Sequence, residues 1–191
     1  MPVETSEAIK AAFRELLRKT PYDRITIADI CQAATIAKRT LYKYFESKAD
    51  LVNAICYDDF ISPLVEVRKI LPIDEIRSSQ THLTERDLVT LKDNRDVYGN
   101  LLRNFGRMEL IDLFITNTAA FNRKVYSAQG FPIENIEFAA YFVAAATTMS
   151  KIYWMENGFK ESPQQMARLI NDFSLAHLLD LRDCAPASGQ A

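Results

Sequence analysis

Fourteen residues, Thr35 to Lys48 (TIAKRTLYKYFESK), concentrate the chemistry of this chain. They set Lys38, Arg39, Lys43 and Lys48 against a single acid, Glu46, in a protein of formal net charge −2. Residues four apart are neighbours on a helix, so Ala37, Leu41 and Phe45 fall on one side, and Lys38, Arg39, Tyr42 and Lys43 on the other. A short helix with an apolar back and a cationic, aromatic front suits the major groove of duplex DNA.

The elements that would position this face are helical. Thr5 or Ser6 is a capping residue for a first helix, which carries Ile9, Phe13, Leu16 and Leu17 at helical spacing. It stops near Lys19, because Pro21 disfavours a helical Thr20. Thr26, with Asp29 three residues on, has the form of a capping box for a second helix bearing Ile27, Ile30 and Cys31. A turn through Thr35 and Ile36 leads into the basic helix. Ser47 caps a fourth, with Leu51, Ile55 and Phe60 on its apolar side. Three helices in the first 46 residues, the second and third joined by a four-residue turn, describe a helix-turn-helix.

The rest reads as further helices. Ser62-Pro63 is either a cap with a first-turn proline or a kink. Residues 72–83 read as a loop, with Thr84 opening the next helix. Asp93 or Asn94 starts another, which Gly106 breaks. Long helices follow over about 108–126, 133–157 and 163–182, and the tail at 183–191 reads as disordered. The fold class is all-α, with a helix-turn-helix domain at 1–46 and a larger helical domain at 47–182 whose first helix links the two.

Composition narrows the function classes. Residues 1–56 hold nine Lys/Arg against seven Asp/Glu, and residues 57–191 hold fourteen against eighteen. The N-terminal quarter attracts a polyanion although the whole chain does not. Three widely spaced cysteines form no metal-spaced pair and fit a reducing cytoplasm. His82 and His177 have no ligand partner at helical spacing, and no phosphate loop, nucleophile elbow or dinucleotide fingerprint is present, so neither an enzyme nor a cofactor is expected. No apolar run approaches a membrane span, and no secretory leader is visible at the N-terminus.

The stretch ITIADICQAATIAKRTLYKYFESKADLV resembles the signature of the TetR family of bacterial transcription regulators, over residues 9–56, with Leu41–Phe45, Lys48 and Leu51 its most specific part. The segment from Asp93 through Tyr98 and Leu102, and WMENGFKESP further on, resemble effector domains of some members from low-GC Gram-positive bacteria. Two positions depart from the family pattern: Thr35 stands where many members have Gly, and Ala37 where many have a capping Ser or Thr. They keep open an alternative, a helical sensor that has lost DNA binding and acts through a protein partner.

The resemblance implies a cytoplasmic homodimer that binds a palindromic operator in double-stranded DNA as a repressor, associates with the nucleoid when bound, and is released by a small-molecule effector. By position it assigns DNA contacts to Thr26, Lys38, Arg39, Thr40, Tyr42, Lys43, Tyr44 and Lys48. It also implies an effector pocket, for which the expected side chains are Tyr57, Phe60, Tyr98, Phe105, Phe114, Phe142 and Met149. The last two long helices would pair with their twins in a four-helix bundle. Ala140 and Ala144 would allow close approach there, Trp154 would act as an anchor, and Leu175 and Leu178 would lie in the interface.

Overall fold

A computed structural model describes residues 3–70, 80–128 and 134–180. Among these residues there are ten α-helices and no strand. The first, α1 (Val3–Lys19), begins ahead of Thr5 and Ser6, so neither caps it; Glu4 in its first turn complements the helix dipole instead. Ile9, Phe13 and Leu17 are fully buried along its inner side. A 3-10 turn at Tyr22–Arg24 carries the chain to α2 (Ile27–Ala33) and then α3 (Lys38–Leu41). The long α4 (Lys48–Phe60) is capped by Ser47 Oγ, which accepts from the Asp50 amide at 3.0 Å. It buries Leu51, Val52, Ile55, Cys56 and Phe60.

α5 (Ser62–Ile70) follows with barely a break: Ile61 bonds back to the Tyr57 carbonyl, and its own carbonyl accepts from Val65. Ser62-Pro63 therefore marks a junction between two successive helices. α6 (Gln80–Asp93) starts four residues earlier than Thr84. Its first turn is held by the last helix, since Asn171 Nδ2 donates to Thr81 Oγ1 at 2.9 Å and Thr84 Oγ1 meets Asn171 Oδ1 at 3.3 Å. Such tertiary bonds extend a helix where local polarity reads as loop. The remainder of the expected 72–83 loop, and the expected disordered tail, lie outside the described residues.

α7 (Arg95–Asn104) ends at Gly106, whose φ of +130° would strain any side chain. α8 (Arg107–Ala128) and α9 (Ile136–Glu156) form the most extensive helix pair, and α6 packs along α10 (Pro163–Asp180). The Ser162–Gln165 capping box opens α10, with reciprocal bonds of 2.9 and 3.2 Å. One continuous core runs from Ile9 and Phe13, through Ile55, Phe60 and Tyr98, to Trp154 and Ile170. Each fully buried large side chain in it contributes about 1.5–3 kcal/mol.

Candidate nucleic-acid interface

The path from α2 to α3 is set by how α2 ends. The Ile36 amide bonds to the Cys31 carbonyl at 2.9 Å and the Thr35 amide to the Gln32 carbonyl at 3.2 Å, the paired bonds of a Schellman motif. This motif needs one left-handed residue, and Thr35 supplies it at φ 55°. The turn is thus built in the left-handed way that favours Gly, and a β-branched residue bears about 1–2 kcal/mol of strain for it. Ala37 occupies the N-cap of α3 with no side-chain bond and is exposed, outside the small core that Leu41 and Phe45 enter. The regular part of α3 is one turn, and i→i−4 and i→i−3 bonds continue it to Phe45.

This short element presents Lys38, Arg39, Tyr42 and Lys43 to solvent, with Lys38 Nζ 5.8 Å from the Tyr42 ring centre. Among the described residues none of the three cations has a carboxylate partner. Thr40 and Tyr44 are half-buried, and Tyr44 packs beside Phe45. Thr26 completes its capping box. Its amide donates to Asp29 Oδ2 at 2.8 Å, its Oγ1 donates to the same atom at 2.7 Å, and its Oγ1 accepts from the Asp29 amide at 3.2 Å. The hydroxyl and amide of Thr26 hold the Asp29 carboxyl below its ordinary value.

Lys48 differs from the sequence-based assignment. Its ammonium turns inward, donating to the Tyr22 carbonyl at 2.6 Å and the Ile25 carbonyl at 2.7 Å, and lies 4.0 Å from the Tyr22 ring centre. Partial burial lowers its pKa, opposed by the charge of Asp23. With two of three N–H groups on protein carbonyls, Lys48 secures the connector between α1 and α2.

The helix-turn-helix is fastened to the larger domain by polar groups. Arg14 on α1 donates to Asp59 at 2.7 Å, Asp59 also accepts from the Tyr98 hydroxyl, and Lys10 pairs with Asp58. Burial alone would lower the Lys10 and Arg14 pKa values, but the hydrogen bonds to Asp58 and Glu7, and to Asp59, raise both. Asn100 on α7 bonds to Leu17, Thr20 and Tyr22 of the connector region. The sequence reading missed Asn100. The signal that points to it is Pro21, which has no amide to give the Leu17 carbonyl at the end of α1.

The seven side chains expected around an effector do not converge. Phe60, Tyr98 and Phe114 form one buried cluster with ring centres 5.2–6.1 Å apart. Phe105 packs instead on Tyr22 at 5.1 Å, while Tyr57, Phe142 and Met149 are exposed. Beside the cluster, Lys151 Nζ lies 5.0 Å from the Phe60 ring centre and 3.6 Å from Asp87. Burial pushes the Asp87 carboxyl up, partly offset by Lys151 and Arg86.

The residues assigned to subunit contact need a correction. Ala140, Ala144 and Trp154 are at most 1% exposed within the single chain and so have no surface left for a partner. Trp154 fills the core against Phe159 at 4.8 Å and donates Nε1–H to the Glu161 carbonyl at 3.2 Å. The opposite face of α9 carries the exposed apolar groups Phe138, Tyr141, Phe142, Met149 and Tyr153, continued on α10 by Leu169 and Phe173. The side chains of Leu175 and Leu178 lie outside the described residues.

Residues 9–55 match the family model "Bacterial regulatory proteins, tetR family", and residues 81–175 match "Transcriptional regulator C-terminal region". The dhaKLM operon transcriptional activator DhaS of Lactococcus lactis is 36% identical over 56 residues, a stretch covering 29% of this chain and 30% of the relative. A solved DhaS structure superposes with a TM-score of 0.62 at 22% identity, over 92% of this chain and 97% of that one. NalD of Pseudomonas aeruginosa, described as the secondary repressor of the MexAB-OprM multidrug efflux pump, superposes at 0.60 with 16% identity, over 91% and 95%. At these identities the two superpositions show the fold, and the sequence matches carry the family. An N-terminal helix-turn-helix with an exposed basic face is followed by a larger helical domain, and both are matched by models of one regulator family: the chain belongs to the TetR family of bacterial transcription regulators.

Proposed function

We propose that the chain works as a homodimer that binds a palindromic operator and represses transcription until a small molecule occupies its C-terminal domain. Residues 1–46 read the DNA and residues 47–182 dimerise and sense. The observation that carries this reading is the face of α3: Lys38, Arg39, Tyr42 and Lys43 point outward with no carboxylate among the described residues to neutralise the three cations. Arg39 is the base-reading group, and Lys38, Thr40, Tyr42, Lys43, Tyr44 and the start of α2 at Thr26 supply further contacts to bases and phosphates. Lys48 acts through the connector it holds.

Dimerisation is supported by the exposed apolar stripe on α9, where 138, 141, 142, 149 and 153 recur at helical spacing. Twofold symmetry then places two copies of α3 about 34–36 Å apart, in successive major grooves. An effector that prefers another separation weakens DNA binding by its difference in affinity for the two states. Its site is the neighbourhood of Phe60, Tyr98 and Phe114, next to the Lys151–Asp87 pair.

A reporter fused to the chain's own upstream region tests the reading. Repression by the intact chain, lost in the Lys38→Ala/Arg39→Ala variant, supports it. A second reading, activation, is favoured by the helix-turn-helix likeness to DhaS, named an activator. Expression that rises with the chain and falls in the variant selects it. Expression indifferent to both forms, with capture of a protein partner, selects the sensor without DNA binding.

A further inference from the structure

At the end of α1 a main-chain gap is filled from a distant helix. Pro21 has no amide to donate to the Leu17 carbonyl. The Asn100 side chain, on α7 and 6% exposed, donates from Nδ2 to Leu17 O at 2.6 Å and to Thr20 O at 2.7 Å. Its Oδ1 accepts from the Tyr22 amide at 2.9 Å and from Asn104 Nδ2 at 2.9 Å. Both donors and both lone pairs of the side-chain amide are used. Three of the four bonds go to the backbone that feeds α2 and α3. Lys48 of α4 also takes the Tyr22 and Ile25 carbonyls, and Phe105, the C-cap residue of α7, sets its ring edge-on to Tyr22. An apolar residue of the same volume would leave Leu17 O, Thr20 O and the Tyr22 amide unsatisfied, so the requirement at position 100 is chemical and not only one of shape.

We propose that Asn100 is a positioning residue for operator recognition: it makes the connector between α1 and α2 follow α7, and thereby fixes the half-site separation that the homodimer accepts. The inference rests on the DNA-reading function proposed above. Hydrogen bonds of this kind tolerate only a few tenths of an ångström before weakening. A displacement of α7 therefore either carries the connector with it or breaks three bonds to the backbone. Because α1 is independently fastened by Arg14 to Asp59 and by Lys10 to Asp58, losing Asn100 loosens the connector without releasing the helix-turn-helix.

The test starts from an operator selected out of random duplex by the full-length wild-type chain. Affinities are then measured for that operator and for versions with one base pair inserted or removed between half-sites, which moves one half-site by about 3.4 Å and about 35°. Wild type should lose at least about tenfold on the altered spacings. In Asn100→Ala, and in the isosteric Asn100→Asp, which keeps an acceptor but replaces both donors, the loss should shrink to about threefold or less. Binding to random duplex should stay unchanged, and the Tyr22 amide should exchange with solvent at least about tenfold faster. Generalised unfolding would not produce this change in spacing tolerance with non-specific binding intact. A wild-type spacing penalty in either folded variant overturns the proposal, and whichever of Asn100→Ala, which places no charge opposite the Leu17 and Thr20 carbonyls, and Asn100→Asp, which keeps the side-chain volume, folds decides it. A wild-type chain that selects no operator overturns the DNA-reading function, and the role of Asn100 with it.

Discussion

Arg39 extends from the first turn of α3 with its guanidinium in solvent, whereas Lys48, nine residues on, is folded back onto two carbonyls. Arg39→Ala should cost about 1–3 kcal/mol on the cognate site and relax the base preference at one position, read by competition binding across single-base variants. Unchanged affinity there removes Arg39 from base readout. Lys48→Met should lower the melting temperature and weaken DNA binding through the loosened connector, yet leave the salt dependence of binding essentially as in wild type. A slope reduced by about one would reassign the ammonium to a phosphate. The outward cations were legible in the sequence because helical spacing alone separates 38, 39, 42 and 43 from Leu41 and Phe45. The role of Lys48 was not, since it depends on where Tyr22 and Ile25 place their carbonyls, a matter of tertiary packing.

The elements around α3 carry their own tests. Thr35 bears a left-handed φ in a motif suited to glycine. Thr35→Gly should stabilise the protein by about 1 kcal/mol, strain relief outweighing the added freedom of the unfolded chain. The melting temperature should rise by about 2–4 °C, and a fall would mean that the Thr35 side chain stabilises the turn. The α2 capping box adds a pH dependence. Asp29 has a lowered pKa in the folded chain, so its contribution is present above the ordinary carboxylate value and is lost as the pH falls through about 4 and below. Wild type should exceed Asp29→Asn in stability near neutrality, and urea melts should show the gap closing in acid. A gap independent of pH would contradict the capping role. The capping pair Thr26–Asp29 could be read from spacing because its partners are three residues apart. The early start of α6 could not, because Thr81 and Thr84 find Asn171 about ninety residues away.

For the whole molecule, the order of the helices and the buried core followed from periodicity, but Ala140, Ala144 and Trp154, read as a subunit face of α9, are buried within the chain. Alanine at 140 and 144 looked suited to close approach between subunits. That approach occurs within the chain, where α9 lies along α8, and the bulky aromatics are left outside. Sequence periodicity shows that a helix has two apolar sides but does not say which of them its own domain covers. If the proposed homodimer forms through this aromatic face, Phe142→Glu should give monomers with unchanged helix content, as read by light scattering and circular dichroism. Trp154→Ala should instead cost about 3–5 kcal/mol of stability, and a particle mass halved only by the second variant would reverse the assignment of faces.

The most direct measurement is footprinting of the full-length chain on genomic fragments competing against random duplex at moderate ionic strength. Two symmetric protected patches, centred about one helical turn apart and protected together as concentration rises, are the predicted result. Protection of a single half-site by one subunit, or the failure of any fragment to outcompete random duplex, would contradict a paired, symmetric reading of DNA by α3.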